Sequence, residues 1–145
     1  MQALLVSTDL MVVSRVENAA AGAGATVAVA CDIEAAVSTV SRNPIDLVIL
    51  DLTATALDVE EAVRRLRQAT SRRVAAALEA AGGRSSEEDE AVVTLVAFAP
   101  HVHSAKLAAA RHAGCDRVVS RGEFHRTVAD LFAAEPGSPP CDAEQ

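Results

Sequence analysis

Tyrosine and tryptophan are absent, and phenylalanine occurs three times in 145 residues. With so few rings the chain offers no stacking platform for single-stranded nucleic acid. Positive charge is also scarce: 13 lysines and arginines stand against 20 acids, a net charge of −7. That balance argues against a phosphate-backbone partner, so no nucleic acid is expected. The three cysteines, Cys31, Cys115 and Cys141, are odd in number and lack CxxC spacing. They suit a reducing cytoplasm better than a disulfide framework. No apolar run approaches the roughly 20 residues that cross a bilayer. The first nine residues lack a basic region and reach Asp9 too early for a secretory leader. A cytoplasmic protein without a membrane partner is expected. There is no P-loop and no G-x-S-x-G elbow, and Ser7 and Ser120 have no evident base partner. The chain is therefore not expected to be an enzyme.

Half the residues are hydrophobic, and the length suits one domain. The stretch 43–58 organises the rest. Ile45, Leu47, Val48, Ile49 and Leu50 form a short apolar run that stops at Asp51. Such a run is expected to be a strand buried on both faces. Asp58 follows and is expected to open a helix, with Glu61 as its capping-box partner.

Similar short apolar runs predict strands near 3–7, 26–30, 92–98 and 116–120, besides 46–50. Between them lie helical patterns. Thr8 or Ser7 is expected to cap the first, with Leu10, Val13, Val16 and Ala20 inward. Gly22 and Gly24 end that helix; following a helix rather than a strand, they make a poor dinucleotide fingerprint. Asp32 caps the second helix, with Ile33, Ala36, Val37 and Val40 inward. The third carries Val59, Ala62, Val63 and Leu66 inward and Arg64, Arg65, Arg67, Arg72 and Arg73 on its other face. The fourth runs from Val102 to Ala113 and stops at Gly114. Ser120 and Glu123 open the fifth as a capping box, with Phe124, Val128, Leu131 and Phe132 inward. Residues 83–91 are expected to be a mobile acidic loop, and 135–145 a disordered acidic, proline-bearing tail.

Five strands alternating with five helices imply right-handed crossovers and a parallel sheet. The natural solution is a flavodoxin-like α/β fold, three layers α/β/α, with strand order 2-1-3-4-5. Ligands in such folds gather outside the carboxyl ends of the strands. That edge would hold Ser7, Thr8, Asp9, Asp51, Ala99, Ser120 and Arg121. His101 and His103, with Cys115 and His125 near, form a further metal pattern that lacks a third ligand at known spacing.

Two segments resemble the receiver domain of bacterial two-component response regulators, whose fold is the CheY-like form of this architecture. D-L-V-I-L-D-L-T-A-T-A-L-D resembles the segment holding the phosphoacceptor aspartate. A-A-A-R-H-A-G-C-D-R-V-V-S-R-G-E-F resembles the fourth helix, fifth strand and start of the fifth helix. The resemblance covers about residues 2–134, within one expected domain over 1–134 that has an insertion around 70–91. It places Asp51 on the phosphoacceptor and Thr53 where a backbone carbonyl meets the metal. Elsewhere the chain departs from the family. The acidic pair that holds Mg²⁺ falls on Ser7 and Thr8, with only Asp9 nearby. The switch hydroxyl falls on Ala99, the aromatic switch on Val118, and the lysine after strand five on Arg121.

The resemblance thus implies a degenerate receiver, or pseudo-receiver, acting in two-component signal transduction by phosphorylation-independent protein contact. With no output domain in view it would stand alone. Its partner would be a histidine kinase or another signalling protein. It would be a monomer, or a homodimer through the face of helix four, strand five and helix five. No cofactor is expected; Asp9 and Asp51 are the only candidates for holding Mg²⁺, and Arg121 is free to pair with Asp51 instead. The alternative is a working phosphoacceptor, phosphorylated on Asp51 in a phosphorelay. A third reading is a small flavin or nucleotide carrier on the same fold.

Overall fold

The computed structural model describes residues 2–53, 58–80 and 93–133, without the side chains of 72–80 and 133. Five short runs rich in Val, Leu and Ala become strands: β1 (Gln2–Val6), β2 (Thr26–Ala30), β3 (Leu47–Asp51), β4 (Thr94–Ala99) and β5 (Arg117–Ser120). They pair in parallel in the order β2-β1-β3-β4-β5. The helices between them are α1 (Leu10–Gly22), α2 (Ile33–Arg42), α3 (Val59–Ala80), α4 (Ser104–Ala113) and α5 (Arg121–Ala133). This is the α/β architecture expected from the alternation of elements.

Alternate strand residues feed two separate cores, as the pleat requires. Leu4, Val6, Val48, Leu50, Leu95 and Ala97 pack beneath α2, α3 and α4. Leu5, Leu47, Ile49, Val96 and Phe98 pack beneath α1 and α5. β3 is the middle strand, and all five of its residues are buried. The scarce rings are spent on the α1–α5 side. Phe98 and Phe124 stack with centroids 4.1 Å apart and planes 4° from parallel, worth about 1 kcal/mol beyond burial.

Several local expectations shift. The cap of α1 is Asp9, whose side chain accepts from the Met11 amide, and not Ser7 or Thr8. The Ser7 hydroxyl donates to Asp51 and accepts the Asp9 amide, one turn position ahead of the helix. The buried stripe is Val12, Val16 and Ala20, and Leu10, expected inward, is 81% exposed. Asp32 caps α2 through the Ala35 amide. α4 begins at Ser104 because residues 100–103 form a turn closed by His103 N–H on the Pro100 carbonyl. It ends at Gly114, whose φ of 105° is open to glycine and strained for other residues.

The stretch 70–80 continues α3, a helix of 22 residues. Its alanine-rich sequence favours that extension. The expected acidic loop at 83–91 and tail at 135–145 lie outside the described residues. Among the described residues no helix is long and apolar enough to cross a membrane.

Candidate functional site

Asp51 closes β3 at the carboxyl edge of the middle strand, 3% exposed. A buried carboxylate must find donors, and three protein groups supply them. Its Oδ2 accepts from the Ser7 hydroxyl at 3.0 Å. Its Oδ1 accepts from the Thr53 amide at 3.0 Å and the Thr53 hydroxyl at 2.7 Å. Both Ser7 and Thr53 are neutral.

Ser7 is itself held in place, donating its amide to the Ala30 carbonyl and accepting the Asp9 amide on its hydroxyl. The chain of contacts therefore runs from Asp9 through Ser7 to Asp51. Thr8 is exposed. Asp9 faces a different partner: Arg121, the first residue of α5, pairs with its Oδ2. The guanidinium, and after it the Met11 amide, hold the Asp9 carboxyl below its ordinary value. Arg121 thus reaches Asp9 and does not make the pairing with Asp51 that the sequence left open. The reason is positional: Asp51 is enclosed at the end of β3, whereas Asp9 stands half-buried at the start of α1, beside α5.

The other positions are placed as follows. Ala99 is fully buried opposite Ser120 in the β4–β5 ladder and brings no hydroxyl. Ser120 accepts the Glu123 amide, so its hydroxyl serves as a helix cap. Val118 lies opposite Ala97 and packs against the core beneath α4.

The histidines do not gather. His101 and His103 are exposed. Cys115 packs on the α2–α3–α4 side, where burial pushes its thiol up to about 11. His125 stands on α5, with its Nδ1 buried and unpartnered. Burial first, then the charges of Arg15 and Arg121, lower its pKa. Among the described residues no group of three or more His, Cys, Asp or Glu comes together to hold a metal.

Mg²⁺ demands near-octahedral oxygen ligation, commonly through one or two carboxylates. Here the oxygens of Asp51 are occupied by Ser7 and Thr53, and those of Asp9 by an amide and a guanidinium. The donor set does not fit the metal that the resemblance implies.

One contact was not anticipated from sequence. The Lys106 ammonium on α4 lies 3.5 Å from the carbonyl of Leu52, the residue after Asp51. The available signal was rarity, since Lys106 is the only lysine.

No family model and no curated protein sequence matches this chain. Solved structures do. A two-component response regulator from Clostridium difficile is 13% identical, with a TM-score of 0.67, covering 95% of this chain and 99% of that one. The receiver domain of NtrX from Brucella abortus is 14% identical, with a TM-score of 0.63 and coverage of 90% and 96%. The receiver domain of a sensor histidine kinase from Pseudomonas aeruginosa PAO1, with a magnesium ion coordinated in its active-site cleft, is 17% identical. Its TM-score is 0.62 and coverage is 92% and 98%. The likeness shows that this chain has the fold of receiver domains.

Proposed function

We propose that this chain is a receiver-like signalling protein of the two-component type, working by protein contact without phosphorylation of Asp51. The observation that carries this reading is the division of the pocket's charges. Arg121 is committed to Asp9, and Asp51 is saturated by neutral donors. Phosphoryl transfer to a carboxylate depends on positioning and on neutralising charge. Losing one preorganised charge-stabilising donor costs about 10²–10³ in rate. This pocket lacks the acidic neighbour, the switch hydroxyl and a cation on Asp51.

The consequences follow from linkage. A modification shifts a conformational equilibrium only through differential interaction with its states. Ala99 and Val118 can neither bond a phosphoryl group nor swing a ring, so the face of α4, β5 and α5 would stay in one state. That face would bind its partner, a histidine kinase or another signalling protein, constitutively, and would be the surface of any homodimer. One receiver-like domain over 1–134, no cofactor, no catalytic role and a cytoplasmic location complete the reading.

A second reading, phosphorylation of Asp51 in a phosphorelay, is favoured by one observation: the aspartate ends the central strand. Amide NMR with Mg²⁺ and beryllofluoride, a phosphoryl mimic, separates the two. The expected outcome is no perturbation at Asp51 to Thr53 or along α4 and β5. Saturable shifts there, abolished by Asp51→Asn, would establish the second reading.

A further inference from the structure

Asp116 lies in the turn between α4 and β5, at the amino edge of the sheet and so at the opposite end from Asp51. It engages Leu95 on β4 twice. Its Oδ2 accepts the Leu95 amide at 2.8 Å, and its own amide donates to the Leu95 carbonyl at 2.9 Å. A third element joins from α3. Arg67 sets its Nη2 2.9 Å from that same Oδ2 and donates to the Gly114 carbonyl at 2.7 Å. Gly114 is the residue that ends α4. One side chain thus holds α3 to the end of α4, to the start of β5 and, through Asp116, to β4.

This contact differs in kind from the rest of the α3–α4 seam. Leu66 and Ala69 of α3 share a core with Leu107 and Ala110 of α4. Apolar contact is non-directional, so it tolerates the small sliding by which packed helices shift. Charge-assisted bonds are short and geometrically specific. A guanidinium at the carbonyl end of a helix also meets the negative end of its dipole. The side chains of Arg67 and Asp116 are 33% and 41% exposed. An isolated pair at that exposure contributes little; here the hold comes from the backbone of Gly114 and Leu95, which the pair gathers. The same exposure leaves the guanidinium reachable in the groove between α3 and α4, which Gln68 and His112 also line. Arg67 can therefore leave Asp116 without unpacking the core.

We propose that Arg67 is a releasable latch. Closed, it fixes α4 and β5 in one position against α3; opened, it frees those two elements to move locally while the other strands stay folded. Control of the α4–β5–α5 face then enters at the amino edge, from α3, and not from Asp51. This deepens, and rests on, the reading of that face as held in one state.

Native-state amide hydrogen exchange of the whole ¹⁵N-labelled chain tests it. Arg67→Met keeps the apolar stem and removes the fork. Amides of Leu107 to Ala113 and of Val118 to Ser120 should exchange about tenfold faster than in the wild type. Those of Leu4, Leu5, Val48 and Ile49 should change less than about twofold. Asp116→Asn should show the same local pattern, and serves in place of Arg67→Met if that variant does not fold. Added salt should move the wild type in the same direction. Arg64→Met, which removes a neighbouring guanidinium from the same groove, should leave the wild-type pattern. Unchanged exchange in α4 and β5 in both variants would overturn the latch. So would equal acceleration in all five strands, which would make Arg67 a general stabiliser. A beryllofluoride response of α4 and β5 in the unmodified chain overturns the one-state reading instead, so the two failures are told apart.

Discussion

Asp51 and Asp9 lie at the carboxyl edge of one sheet, on the middle strand β3 and just past its neighbour β1, and are dressed in opposite ways. Asp51 is enclosed and bonded by three neutral donors from Ser7 and Thr53. Asp9 is half-buried, caps α1 and pairs with Arg121. The first is a carboxylate locked into the structure; the second is a helix cap that has captured the pocket's guanidinium. The difference is one of partners: the guanidinium at this edge serves Asp9, and Asp51 is left to neutral donors, which is the ground of the proposal that Asp51 is not phosphorylated.

The largest expected effect comes from making the two regions alike. Ser7→Asp sets a second carboxylate against buried Asp51 and removes a donor. The loss should be about 3 kcal/mol of stability, read from urea denaturation. Millimolar Mg²⁺ should restore part of it by binding the folded form. An unchanged midpoint would show that Asp51 is not enclosed as described.

Ser7→Ala sharpens the contrast less severely. It leaves Asp51 Oδ2 without its donor, at a cost of about 1–2 kcal/mol. Arg121→Met tests the other carboxylate, and its effect should depend on pH and salt. The folded Asp9 pKa lies below its ordinary value of 3.8. Its contribution to stability is therefore present above that value and lost as the pH falls through the folded pKa. In thermal melts the variant should show a small deficit above pH 3.8 that vanishes in the acid limb, and the difference from wild type should shrink with added salt. A pH-independent deficit would mean that Arg121 acts by packing rather than charge.

The smallest effect is at His125. Its folded pKa is depressed below 6.5, so its contribution is present above pH 6.5 and lost as the pH falls towards the folded value. His125→Gln should flatten a shallow decline in melting temperature below pH 6.5. A decline of the same slope in the variant would assign it to other groups.

The sheet was legible in the sequence because each strand is a short apolar run bounded by polar or glycine punctuation, and β3 ends where Asp51 begins the polar edge. The site was legible in membership but not in pairing. Composition and spacing brought Ser7, Asp9, Asp51 and Arg121 to one edge. They could not show that Arg121 would reach Asp9, because that depends on how far α5 stands from β3. The start of α1 was misplaced for a related reason. Ser, Thr and Asp all cap helices, and the three stand side by side at residues 7–9, so residue type alone does not select Asp9. The length of α3 was hidden because its alanine-rich end carries no strong apolar stripe of its own.

The central claim, that Asp51 receives no phosphoryl group, is tested most directly by intact-mass spectrometry of the whole chain after incubation with acetyl phosphate and Mg²⁺. The account predicts an unchanged mass, identical to that of Asp51→Asn under the same treatment. A stable, Mg²⁺-dependent gain of one phosphoryl group, absent from Asp51→Asn, would contradict it.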